Sequence, residues 1–170
     1  SDFECPFCSR SFVTTEKLME KYKGKIKFIY KHLPLSFHKN AMIAAKYYEG
    51  VRLQSTKLAF KFHDEVFRNQ RELKKGEVFL KKIVENLNLD MKKFEKDIQS
   101  ETVLKRINED IEEAKRFNIQ GTPGFVLNGV PIKGAYPIEH FVKIINELKK
   151  RKKKLEKVIG IYQSRHYWPY

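Results

Sequence analysis

Cys5 and Cys8 stand three apart in Cys5-Pro6-Phe7-Cys8 and are the only two cysteines in the 170 residues. Pro6 suits the first turn of a helix, where its missing N–H costs nothing. The spacing of three then sets both sulfurs over that first turn, within bonding reach of each other. A helix N-terminus presents free N–H groups and roughly half a positive charge. Such a place stabilises a thiolate and can bring a cysteine pKa from about 8.5 into roughly the 3.5–7.5 range. On this reading Cys5, at the exposed helix start, is the attacking thiolate. Cys8, one turn in, is the resolving thiol that closes the disulfide and releases a mixed-disulfide partner. Pro6 and Phe7 tune the redox poise and bring no charge of their own.

The same stretch supports a competing reading. Phe3, Cys5, Cys8, Arg10, Phe12 and Leu18 fall where the first half of a Cys₂His₂ zinc finger places such residues, and the chain is basic. A zinc-binding nucleic-acid module needs its first histidine about twelve residues past the second cysteine. Position 21 is lysine, and no histidine occurs between Cys8 and His32. His32 and His38 follow an expected strand, not a finger helix. No metal ligands are therefore assigned, and no nucleic-acid partner is expected. His63 and His166 read as ordinary surface or core residues.

The elements that must position the cysteines follow from periodicity. Phe12, Leu18, Met19 and Tyr22 form the stripe of a first helix that Gly24 ends. Ile26–Tyr30 reads as a strand stopped by Pro34. From His38 to Phe117 the pattern is helical throughout. It comprises a helix at 40–53, a second capped by Ser55 with Leu58, Phe62, Val66 and Phe67 on one face, a third at 77–87 after Gly76, a fourth capped by Asp90, and a fifth opened by Ser100. Phe125-Val126-Leu127 and Val130-Pro131-Ile132 flank Asn128-Gly129, the signal of a type I′ hairpin. Pro137 opens a last helix through Phe141, Ile144, Ile145 and Leu148. The skeleton is an α/β domain interrupted by a helical insertion.

Composition narrows the classes. With 41% hydrophobic and 13% aromatic residues, the chain is not globally disordered. The longest uncharged stretch, 117–132, is too short to cross a membrane and is broken by glycines and prolines. Lys and Arg number 35 against 21 Asp and Glu, a formal charge of +14, but the cations are interleaved with acids along most of the chain. The one dense block, residues 149–154, reads as a solvated helix C-terminus, where cations suit the dipole. The chain starts at Ser1 without Met, which reads as processing or trimming, so a missing leader says little about compartment.

A second signal, Gly121-Thr122-Pro123-Gly124-Phe125, precedes the hairpin. Together with 1–8, the stretch Lys31-His32-Leu33-Pro34-Leu35-Ser36-Phe37-His38, and Asn128-Gly129 with Gly134-Ala135, it resembles the DsbA-like branch of the thioredoxin superfamily across about residues 1–150. The resemblance implies a thioredoxin-like fold: a first half over 1–38, an inserted helical domain over 39–117, a second half over 118–150, and a basic, aromatic tail over 151–170. It implies that Pro123 is cis against the cysteine pair, and that the backbone of Thr122 pairs with an extended substrate. Lys31 is placed near Cys8 as a proton aid. The implied activity is thiol–disulfide exchange with cysteine-containing protein substrates. Reductant and isomerase directions stay open, and the oxidant is favoured because isomerases of the superfamily commonly dimerise through an added domain that is not visible in this sequence. No cofactor is implied beyond the Cys5–Cys8 disulfide, and a redox partner would recycle it. A silent thioredoxin-fold scaffold is a further alternative. The implied place is extracytoplasmic, the bacterial periplasm or cell envelope, where disulfides persist. In the family a central strand runs directly into the cysteine pair. Only Ser1-Asp2-Phe3 stands there, so that strand is expected to be truncated, with the rest upstream or its slot filled by 158–162.

Overall fold

The computed structural model describes residues 1–159, with side chains through residue 152. In chain order the elements are α1 (Pro6–Lys21), α2 (Ala41–Gln54), α3 (Thr56–Arg68), a 3₁₀ turn (Gln70–Lys75), α4 (Glu77–Glu85), α5 (Met91–Asp97), α6 (Glu101–Arg116), β1 (Gly124–Leu127), β2 (Val130–Lys133) and α7 (Ile138–Ile159). Three of these helices begin on the side-chain caps read from sequence. The Ser55, Asp90 and Ser100 oxygens accept from the amides of Leu58, Lys93 and Val103 at 3.3, 3.0 and 3.3 Å. β1 and β2 pair antiparallel with Leu127 opposite Val130. Asn128 and Gly129 between them take φ values of 48° and 84°, the left-handed pair that a type I′ turn requires.

The described residues fall into two compact units, Ser1–Ala135 and one that begins at Tyr136. In the first, α2 packs against α3, α4, α5 and α6. Its core is strongly aromatic: Phe3, Phe12, Tyr30, Tyr47, Tyr48, Phe62, Phe67 and Phe94 are all buried. In the second, α7 continues to Ile159, so the basic block at 149–154 lies inside the helix and not at its last turn. Val158 and Ile159, offered as the start of a tail strand, are helical, and the rest of that segment lies outside the described residues along with His166.

The expected strand at Ile26–Tyr30 is not formed. Its burial still alternates: Phe28 is half-buried and Tyr30 buried, whereas Lys27 and Ile29 face solvent. Pleating alone does not make a strand; a ladder partner does. Among the described residues the pairing comes just past this stretch, where the Ser1 amino group donates to the Lys31 carbonyl (2.9 Å) and Leu33 N–H donates to the Ser1 carbonyl (2.7 Å). That is the two-bond pattern of a parallel pair, with His32 beside Ser1.

Charged groups close the space between this stretch and the helices. His32 Nε2 meets Glu49 at 3.1 Å, and Glu49 also accepts from Arg52 at 2.5 Å. Asp110 accepts from the His32 amide at 2.9 Å and pairs with Lys31 and Arg106 at 3.0 and 3.3 Å. Lys31 also reaches Glu113 at 2.7 Å, so its ammonium belongs to this cluster. Burial lowers the pKa of both His32 and His63. Burial works against the Glu49 carboxylate, but His32 and Arg52 outweigh it and hold its pKa below the usual value. All three groups are therefore more acidic folded than unfolded, so the unfolded chain binds more protons and acid destabilises the fold. The thermal midpoint is expected to fall as pH drops below about 6.5, the unfolded histidine value, and to fall again in the carboxylate range. His63→Phe should flatten the first of these losses. A midpoint that is level or rises between pH 7 and 5 would contradict the assignment.

Candidate active site

Cys5 is the N-cap of α1, with extended backbone (φ −73°, ψ 121°) and no side-chain capping bond; Pro6 opens the helix. The Cys5 carbonyl starts the helical ladder, accepting from Cys8 N–H at 3.0 Å and Ser9 N–H at 3.3 Å. Both cysteines are free thiols. The expectation of an exposed Cys5 is overturned: it is 4% exposed and Cys8 2%, while Phe7 between them is 52% exposed. The cause is a neighbour distant in sequence. The Cys5 thiol donates to the Thr122 carbonyl at 3.4 Å, which turns the sulfur inward. Burial pushes the Cys8 thiol up, so it holds its proton in the dithiol state.

The opposing loop is held independently. The Thr122–Pro123 peptide is cis. The Pro123 carbonyl accepts from Gly134 N–H at 2.9 Å, which ties the loop to the end of β2. Gly124 is demanded by a close approach: a Cβ there would lie 2.3 Å from Ile119 Cγ2. The Thr122 hydroxyl is buried, and its hydrogen bonding toward Cys8 works against the burial that raises that thiol's pKa. Residues 5, 8, 122 and 123, picked from two stretches more than a hundred apart, thus meet at one place. Phe7 does gain a charged neighbour, because the Arg10 guanidinium lies 4.5 Å from its ring centre.

Three polar residues in this frame escaped sequence reasoning. The buried Asp2 carboxylate accepts from Glu4 N–H (2.7 Å) and Leu35 N–H (2.8 Å), and meets His38 Nδ1 at 2.7 Å. Glu4 accepts from Asn40 N–H at 2.6 Å. Gln70 Nε2 donates to the carbonyls of Phe3 and Cys5, both at 2.8 Å. No spacing rule marks the bonds to Leu35, Asn40, Phe3 and Cys5, since each joins a side chain to backbone groups remote in sequence. His32 and His38, which a finger reading would draw on, are engaged by Glu49 and Asp2. Among the described residues no group of three or more His, Cys, Asp or Glu side chains is arranged to hold a metal ion. No helix among them is long and apolar enough to cross a membrane.

A family model described as thioredoxin matches residues 1–147. The curated proteins that resemble the chain include a Na(+)/H(+) antiporter NhaA 3 of Salinispora tropica, 31% identical over 140 residues, covering 82% of this chain and 21% of that protein. The chain thus spans about a fifth of the length of the curated relatives it matches. Among solved structures, a thioredoxin-like oxidoreductase from Silicibacter pomeroyi superposes with a TM-score of 0.75 at 19% identity, covering 88% of this chain and 83% of that one. The thiol-disulfide exchange protein alpha-DsbA2 from Wolbachia pipientis superposes at 0.74 with 21% identity, covering 87% and 78%. These likenesses establish the thioredoxin-like fold.

Proposed function

The chain belongs to the thioredoxin family, and from that premise we propose that it is a thiol–disulfide oxidoreductase that exchanges its Cys5–Cys8 pair with cysteines of protein substrates, acting as an oxidant. The observation that carries this reading is the Cys5 thiol at a helix N-cap, 3.4 Å from the carbonyl of Thr122. An extended substrate chain lying along Thr122 would bring its own sulfur to Cys5.

The exchange balances as follows. A substrate thiolate attacks Cys5 Sγ of the oxidised pair, the Cys5–Cys8 bond breaks, and Cys8 leaves with the electron pair and takes a proton. A second substrate thiolate attacks the substrate sulfur of the mixed disulfide and releases Cys5, which takes the second proton. Two electrons and two protons pass from substrate to protein, and one substrate disulfide forms. The raised Cys8 pKa supports its role as the proton acceptor in the first step. The place of Cys5 at a helix N-terminus supports the oxidant direction, because a stabilised reduced form is what makes an oxidant. A disulfide-bearing partner would return the pair to the oxidised state, and the reaction belongs in an extracytoplasmic compartment. The ion exchange in the curated relatives' names is no part of this proposal.

The test is oxidation of a reduced, unfolded protein that has several native disulfides, with catalytic amounts of this chain in glutathione buffer. Disulfide formation several-fold faster than buffer alone is expected. A rate equal to buffer would leave the scaffold alternative. Faster loss than gain of disulfides would make the protein a reductant.

A further inference from the structure

We propose that Gln70 is a positioning residue for the redox pair, an inference that rests on the exchange reading above. An N-cap side chain ordinarily ties down the entry to its helix by bonding a backbone amide in the first turn. Here the N-cap is Cys5, which makes no such bond, and its sulfur has to stay available for chemistry. Within the entry Asp2 accepts from the Glu4 amide, and the carbonyls of Phe3 and Cys5 are fixed from outside it. Gln70 does this with one group: its side-chain NH₂ carries two donor hydrogens, and it donates to Phe3 O and Cys5 O, each at 2.8 Å. Those carbonyls lie on either side of Glu4, so a single carboxamide pins the two residues of backbone that lead into the pair.

The anchor itself is firm. Gln70 opens the 3₁₀ turn after α3, and the turn is closed by Glu72 N–H to Asn69 O (2.8 Å) and Gly76 N–H to Leu73 O (2.9 Å). Leu73 is 1% exposed, which roots the turn in the core. Just before it, Phe67 O accepts from Ser9 Oγ at 3.4 Å, a second tie between this part of the helical block and the start of α1. The bonds also have an electrostatic side. Each donor hydrogen offsets the partial negative charge of a carbonyl oxygen, and one of these is the carbonyl of Cys5 itself. The two bonds are made while both thiols are free, so their loss falls on the reduced form of the site. The reduced state then loses stabilisation relative to the disulfide.

The experiment compares the full chain with its Gln70→Met and Gln70→Ala variants by glutathione redox titration, with alkylation and mass spectrometry reporting the dithiol fraction. Methionine keeps the length and volume of the side chain but has no donor. Both variants are expected to shift the equilibrium constant ~10-fold towards the disulfide, equivalent to about 30 mV more reducing. Their far-UV spectra should match the parent. A Gln70→Met protein that titrates like the parent overturns the proposal, and a shift confined to Gln70→Ala overturns it in favour of packing. A parent chain that does not exchange with glutathione at all fails the exchange reading first, and the role of Gln70 falls with it.

Discussion

Cys5→Ser abolishes dithiol–disulfide exchange, lowering the rate on the order of 10³-fold or more, whereas Cys8→Ser leaves attack intact and traps substrate as a mixed disulfide. The scale is that of deleting a nucleophile, since a hydroxyl neither ionises near neutral pH nor forms the sulfur–sulfur bond. The asymmetry follows from placement, because burial does not distinguish the two thiols. Cys5 sits at the cap, facing the Thr122 carbonyl where an extended substrate would lie. Cys8 is within the first turn, and its burial-raised pKa keeps it protonated. A substrate sulfur therefore meets Cys5 first, and only the Cys8 thiolate, formed in reach of it, can break the adduct. Mass spectrometry after incubation with a reducible protein reads the result directly. Adducts that accumulate on Cys8 in the Cys5→Ser protein would reverse the roles assigned here.

What the sequence disclosed is what short-range rules govern. The caps at Ser55, Asp90 and Ser100 and the Asn128-Gly129 turn each depend on residues within four positions, and each formed as read. The cysteine pair at the head of α1 is of the same kind. Ile26–Tyr30 failed because a ladder is a relation between two segments: its alternation persisted, but the paired partner did not. Cys5 looks exposed from sequence for a similar reason, as local spacing places a residue on a helix but carries no sign of the Thr122 loop that covers it. Gln70, Asp2 and Glu4 were illegible because they bind backbone groups, which any sequence offers. The charge block at 149–154 shows the limit from the other side. Its composition was plain, but its rationale as a helix terminus depended on where α7 ends, and α7 runs on to Ile159.

Phe3→Ala should be the most destabilising single change near the site, at about 3–5 kcal/mol. Phe3 is 1% exposed. Its ring lies 5.1 Å from Phe67 and 5.3 Å from Tyr30 between centroids, and meets Phe62 edge-on at 6.0 Å. It thus joins the pre-cysteine segment to α3 and to the unladdered stretch at 26–30, which ends at Tyr30. Truncation removes both the buried aromatic area and the contacts that keep Tyr30 inward, and the surrounding rings cannot close the space without leaving their own packing. Against a total stability of about 5–15 kcal/mol for a domain, that loss takes a large share of the folded state. Phe3→Leu keeps most of the volume and should cost less than half as much. Urea unfolding followed by far-UV circular dichroism measures both. Equal midpoints for parent and Phe3→Ala would mean that the aromatic cluster does not carry the segment. The cysteines would then depend for their position on the hydrogen bonds of Gln70, Asp2 and Glu4 alone.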